Sequence, residues 1–378
     1  MIYAIPYVLL VCFFGIAAWR FHYADDSDIR NRITLLCIFV FVFFFGFRGF
    51  CFYDWYAYYP IFLQIDLHTL DVSMPYEPGF SLLMAICKSL FNNYHFFILV
   101  CCLINTVLLL RFFQQRINNI PLGLMIYICM GGLGLSTDLI RNSISILLFI
   151  NSLQYIEERK PIPFFLINAV GMTFHLSAFF YFPLYFFLHR RYSKWIYLAI
   201  FAIGNLIYIF HIPVFLTLVS FIAGIISPQL NYKIMAYTEL MPSDGFRLSI
   251  GYLERLLTGI LIFLYIGKLR DIRKDNDIFI NSILLYFAMF FFFSEFKTVG
   301  LRFSNLFCYA YWILWIDLIK CFAIENNRKL FIFFLSIYCV LKIYGSTNNI
   351  IARYDNVLIN AQPFHIREQI FNKNFNDI

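Results

Sequence analysis

Arg141 and His175 are ionisable side chains set inside hydrophobic stretches. Arg141 opens the segment Arg141-Asn142-Ser143-Ile144-Ser145-Ile146, which stays largely apolar to Tyr155. A charged turn, Glu157-Glu158-Arg159-Lys160, separates it from a second apolar run containing Phe174-His175-Leu176-Ser177-Ala178. Ionisable groups at membrane depth are costly, so by default they mark function. A guanidinium stays charged and its fork matches phosphate oxygens two at a time. An imidazole titrates near neutrality and can take a proton from a sugar hydroxyl. The two residue types together point to anion binding beside acid–base chemistry.

Arg48, Arg255 and Arg302 also stand at the ends of apolar stretches. A membrane enzyme that holds a lipid diphosphate needs such arginines at the interface. The competing reading is snorkelling or salt bridging, with Glu254 or Glu295 as the partner of Arg255. Asp54 lies among Tyr53, Trp55, Tyr56, Tyr58 and Tyr59. Aromatic faces stack on sugar rings, and the same residues form the interfacial belt of any membrane protein. For Trp55 and Tyr58 the belt is the safer reading. Glu77 precedes Pro78-Gly79, a turn entering a short helix, where it serves as a general base or as an acidic residue at a helix N-terminus. Hydrolytic triads, Walker loops, HExxH and GxGxxG are absent, which removes the main supports for ATP-driven, metalloprotease and nucleotide-cofactor readings. Metal-independent chemistry is expected.

The elements that must position these residues are membrane helices. The 378-residue chain is 61% hydrophobic, 21% aromatic and only 13% charged, with a mean hydropathy of +0.74. A soluble domain carries about 25% charged residues. Apolar runs fall at 2–19, 33–47, 94–113, 120–137, 139–156, 163–188, 195–210, 251–267, 278–296, 302–320 and 329–345. Several approach the roughly 20 residues that cross a bilayer. They do not alternate with period two, so helices rather than a barrel are expected. The fold class is therefore all-α: a polytopic integral membrane protein of about eleven or twelve transmembrane helices. One domain covers 1–345, with outward-facing loops at 48–78 and 211–250 and a polar C-terminal tail at 346–378. Shorter pieces at 79–91 and 212–227 read as re-entrant or interfacial. The first run reads as a retained helix rather than a signal peptide. Ten cysteines form no CxxC pair and sit mostly in apolar runs, so buried thiols are expected. The net charge of +7 resides largely in short turns, where orientation signals belong, and does not suggest nucleic acid.

Placing every basic turn in the cytoplasm constrains the topology. Arg159-Lys160 and Arg190-Arg191 flank the run 163–188, so that run must go out and return, with His175 at its turn. The stretch 195–250 must likewise return once, which leaves about 211–250 outside. Arg48, Asp54, Glu77, Arg141, His175, Arg255 and Arg302 then share the external face.

The order of these motifs has a counterpart. Arg48-Gly49 is followed by Asp54, Tyr56 and Tyr59, then by Glu77-x-Gly79-Phe80. An Arg-led helix from Arg141 to Lys160 precedes Phe174-His175-x-Ser177-Ala178, and Arg302-Phe303-Ser304-Asn305 comes late. This layout resembles the EpsG-like family of bacterial polysaccharide polymerases, related in role to Wzy-type polymerases, over about residues 1–345. The resemblance implies a GT-C-like glycosyltransferase of the bacterial inner membrane, with its active site facing the periplasm or exterior. It would join undecaprenyl-diphosphate-linked oligosaccharides into capsule, exopolysaccharide or O-antigen. By that analogy His175, Glu77 and Arg141 would be catalytic, and Arg48, Asp54, Tyr56, Tyr59, Arg255 and Arg302 would bind substrate. No cofactor is implied; a flippase and a chain-length regulator would be partners beside the bilayer. Two other classes compete. A transporter or flippase of lipid-linked sugars often shows internal repeats and charges on both sides of a midplane site. A membrane O-acyltransferase would also use a histidine, but with inward-facing or bridging groups. Clustering of the charges on one face favours an interfacial enzyme.

Overall fold

The computed structural model describes residues 3–67, 70, 76–226, 249–295 and 297–374, the side chains of 222–226 and 297–299 excepted. Helices α1 (Ile5–Tyr23), α2 (Ser27–Gly46), α3 (Asp54–Gln64), α4 (Pro78–Leu90), α5 (Tyr94–Arg116), α6 (Ile120–Tyr127), α7 (Leu133–Thr137), α8 (Ile140–Glu157) and α9 (Pro161–Phe174) lead into a 3-10 segment, Leu176–Phe186. They are followed by α10 (Lys194–Phe210), α11 (Val214–Ile226), α12 (Ile250–Ile272), α13 (Asn276–Phe292), α14 (Lys297–Asn305), α15 (Tyr309–Cys321), α16 (Glu325–Thr347) and α17 (Phe364–Asn374). No strand occurs among the described residues, only an isolated bridge between Arg48 and Asn356. The all-α, polytopic expectation holds.

The spans sort by length and composition. Among the described residues six helices are long and apolar enough to cross a membrane: α1, α2, α5, the combined Ile120–Thr137, α12 and α16. A seventh is reached if α10 and α11, bent by 91°, form one broken span. Shorter apolar helices of 10–17 residues are α9 and the 3-10 segment, which are the two halves of the 163–188 run, α13, and α4, the piece expected to be re-entrant or interfacial. Helix α8 runs unbroken for 18 residues and carries Asn142, Ser143, Ser145, Asn151 and Ser152 buried along it. Those side chains tie it to its neighbours. Asn105 of α5 donates to Ser143 Oγ at 2.8 Å, Asn151 donates to Leu108 O at 2.9 Å, and Asn168 of α9 donates to Ser152 Oγ at 3.0 Å. Interhelical hydrogen bonds and small residues are how helices associate in lipid.

Local sequence sets the helix ends. Asp26, Asn93, Ser193 and Ser249 cap α2, α5, α10 and α12 with side-chain oxygens. Proline opens α4 and α9, where its missing N–H costs nothing. The Ile120–Thr137 span breaks in a π-turn at Ile128–Gly132, where Gly131 takes φ 96, a conformation that glycine adopts without strain. The run 163–188 folds back at His175, whose backbone is extended at φ −157. Across that fold Phe165 meets Phe182 at 5.6 Å, and Gly171 faces Ala178. At the α10–α11 bend His211 is left-handed at φ 52. Most of the 211–250 stretch expected outside lies beyond the described residues.

The chain divides into two compact units, residues 1–187 with 322–378, and residues 188–321. In the first, the segment after α16 packs against the chain after α2. Gly49 N–H donates to Asp355 O at 3.0 Å, and a Cβ on Gly49 would collide with the Asp355 carboxylate. Arg367 of α17, 3% exposed, donates to Phe50 O at 2.6 Å and to Ile351 O and Arg353 O at 3.2 Å each.

The second unit is organised on α15, nearly every residue of which is buried. Asp317, 0% exposed, accepts from Arg273 at 3.2 Å, Asn276 at 3.3 Å and Lys320 at 3.0 Å. Removing one partner of a buried ionic network leaves uncompensated charge. Asp317→Ala should therefore destabilise the protein by about 3 kcal/mol. Thermal unfolding in detergent measures this, and an unchanged midpoint would refute it.

Candidate active site

Glu77 stands immediately before α4. Gly79, two residues on, lies so close to Thr173 that a Cβ there would strike the Thr173 hydroxyl. The start of α4 is thus pressed onto the end of α9, and this approach brings Glu77 Oε1 to the N–H of Leu176 at 3.0 Å. Arg141, in the first turn of α8, reaches Glu77 Oε2 at 2.6 Å and the Tyr58 hydroxyl at 3.0 Å. Its guanidinium lies over the Tyr76 ring at 4.4 Å and near that of Tyr58 at 5.8 Å. Both Glu77 oxygens are engaged. Burial alone would raise its pKa, but backbone hydrogen bonds from its own and the Leu176 N–H, with the charges of Arg141 and His175, hold it below the ordinary value. Glu77 is held ionised.

His175 sits at the break between α9 and the 3-10 segment. Its Nδ1 accepts the Ser177 N–H at 3.1 Å and lies 2.8 Å from Ser177 Oγ, which donates to Asn142 Oδ1 at 2.9 Å. Asn142 follows Arg141 on α8, so the histidine and the arginine are tied to the same helix end.

Asp54 opens α3. Asp138, just past α7, accepts from Tyr53 N–H at 2.7 Å and from Asp54 N–H at 3.4 Å. An acid from another helix thereby caps α3. Burial, and then the Asp138 charge, push the Asp54 carboxyl up to about 7, against the pull of Tyr58, the Ile140 N–H and Arg48. Burial also raises Asp138 to about 6, despite the Tyr53 and Asp54 N–H groups and Arg48. The Tyr58 hydroxyl is shared: it accepts from Arg141 and hydrogen-bonds Asp54. A continuous polar line therefore runs from Leu176 through Glu77, Arg141 and Tyr58 to Asp54.

Other expected residues are placed elsewhere. Arg48 is buried behind Asp138, its Nη2 donating to Thr137 O at 3.1 Å. Tyr56 and Tyr59 each have one face covered by α17: Phe371 stacks on Tyr56 and Phe364 on Tyr59, both at 4.5 Å. Arg255 and Arg302 belong to the second unit. Arg255 is buried, donates to Gly251 O at 2.7 Å and Tyr286 Oη at 2.9 Å, and lies over Phe290 at 3.9 Å. Its neighbour Glu254 accepts from Thr258 at 2.8 Å, and Glu295 receives the Phe215 and Leu216 N–H groups at 2.9 and 3.0 Å. Arg302 is exposed on α14.

Tyr58, Tyr76, Asp138, Asn142 and Ser177 take part in the site without having been singled out for it by sequence. Two left a signal. Tyr58 is four residues after Asp54 and so on the same helix face, and Ser177 stands two after His175 inside the Phe-His-x-Ser-Ala motif.

Fold and site together define a multi-pass helical membrane protein with a buffered arginine–carboxylate centre at helix ends. The chain matches the EpsG family over residues 31–357 and belongs to it. That membership supports a polysaccharide polymerase role in general terms. No curated protein and no solved structure matches the chain.

Proposed function

We propose that this chain polymerises polyprenyl-diphosphate-linked oligosaccharide repeat units into a surface polysaccharide on the outer face of the bacterial inner membrane. The observation that carries the reading is Arg141. In a chain of this family, an arginine at a helix start is aimed by Glu77 and backed by two tyrosine rings. In the reaction, a hydroxyl of one lipid-linked unit attacks the anomeric carbon of the growing glycan. A glycosidic C–O bond forms, the bond to the diphosphate breaks, and its electron pair leaves on the diphosphate oxygen. Arg141 neutralises that developing charge. Glu77 holds the guanidinium, and His175, with Ser177 and Asn142, orients the acceptor. Asp54 and the tyrosines beside it contact sugar.

The test is the chain-length profile of the surface polysaccharide in cells expressing His175→Ala or Arg141→Ala at wild-type level. Ladders should collapse toward single repeat units while lipid-linked units still reach the outer leaflet. Accumulation on the inner leaflet would transfer the assignment to a flippase, and unchanged ladders would remove these residues from the chemistry.

A further inference from the structure

Glycosyl transfer to a hydroxyl releases a proton, and the receiving group must stand near the cation that holds the leaving diphosphate. Glu77 is poorly suited, because Arg141 and the Leu176 N–H occupy its two oxygens. Asp54 is differently placed. Its Oδ2 is buried yet has no hydrogen-bond partner among the described residues. Other contacts hold it in position: Asp138 accepts its backbone N–H, and Tyr58 lies against its carboxyl. Tyr58 is also hydrogen-bonded to Arg141 at 3.0 Å. Tyr58 thus stands between the Asp54 carboxyl and the Arg141 guanidinium.

We propose that Asp54 accepts the proton of the attacking sugar hydroxyl, and that Asp138 is the positioning residue that holds its backbone and sets its charge. The acceptor O–H breaks, its proton goes to Asp54 Oδ2, and the oxygen forms the glycosidic bond as the diphosphate leaves. The assignment rests on the polymerase reading and replaces His175 or Glu77 as the base. A base titrating near the working pH suits this task, and burial with the Asp138 charge puts Asp54 there. The charged or titratable groups facing Asp54 are Asp138, Arg48, Tyr58, Tyr76 and Tyr94, with Arg141 acting through Tyr58.

The signs follow from those neighbours. Asp138 raises Asp54, so Asp138→Asn should move the acid limb of the rate profile to lower pH. Tyr58 lowers Asp54, so Tyr58→Phe should move it to higher pH. General destabilisation does not produce opposite shifts. The experiment uses the full chain in proteoliposomes with lipid-linked repeat units, following glycan length from pH 5 to 9, with gel filtration of each variant. Asp54→Asn should lower the extension rate by about 10²-fold or more with half-saturation for donor little changed. Asp54→Asn within tenfold of wild type, or profiles of Asp138→Asn and Tyr58→Phe that coincide with wild type, would overturn the proposal. No extension by wild-type protein would instead refute the polymerase reading on which it rests.

Discussion

Arg141→Ala is expected to slow chain extension by about 10³-fold, the scale on which charge-stabilising donors contribute to transition states. The arginine makes one ion pair, one hydrogen bond to Tyr58 and two ring contacts. Glu77, itself fixed by the Leu176 N–H, sets the direction of the guanidinium. The loss should fall on rate more than on folding. The side chains of Arg141 and Glu77 are 23% and 20% exposed, so water can partly replace the broken ion pair. Arg141→Lys should restore little. An ammonium is a point charge, and it cannot bond Glu77 and Tyr58 through a fork while covering the Tyr76 ring. Initial extension rates with purified variants in proteoliposomes check both statements. Activity of either variant within tenfold of wild type would place the diphosphate elsewhere.

The second large effect concerns a residue with no side chain. Gly79→Ala should destabilise the protein by about 2 kcal/mol and cut activity by about 10²-fold, the cost of overpacking and of a small misplacement of reacting groups. The new methyl would meet not only the Thr173 hydroxyl but also its Cβ at 2.8 Å and its carbonyl oxygen at 2.9 Å. A rotamer change cannot relieve contacts with Cβ and backbone. The ends of α4 and α9 must separate, and Glu77 then leaves the Leu176 N–H. Thr173→Ala in the same chain removes the hydroxyl but leaves the other two contacts, so it should recover part of the stability and little of the rate. Unfolding midpoints and extension rates of the two single variants and the double variant form the test. Full activity in Gly79→Ala would show that this approach does not position the site.

The glycine also shows what a sequence conveys about such a site. Glu77-Pro78-Gly79 reads correctly as a turn into a short helix. Nothing in those three residues says that Thr173 lies against the glycine. Asp138 is a similar case. Its neighbours in sequence make it one polar residue at a helix end, and only packing sets it under Tyr53 and Asp54, where it caps α3 and raises the Asp54 carboxyl. Tyr58 was read as part of the interfacial aromatic belt because belts and binding sites use the same residue types. Its hydroxyl between Arg141 and Asp54 distinguishes the two.

The C-terminal segment marks the limit of reading by composition. Residues 346–378 are polar, and polarity alone suggests a solvated tail. In the structure Arg367 is buried against three carbonyls, and Phe364 and Phe371 stack on the tyrosines expected to meet sugar.

By itself the sequence determined that this is an all-helical, multi-pass membrane chain and where most of its helices start and stop. It also placed the fold-back at His175 and supplied the motif order that resembles the family. These are properties of contiguous residues: hydropathy over one span, a capping side chain, a proline, a charged turn. Tertiary structure alone decided which arginines are buried, and that Leu176, Glu77, Arg141, Tyr58 and Asp54 form one line. Those contacts join α3, α4, α8 and the end of α9 across up to about a hundred residues of chain. Burial and neighbouring charge, which set what a carboxyl does, exist only once the helices have packed.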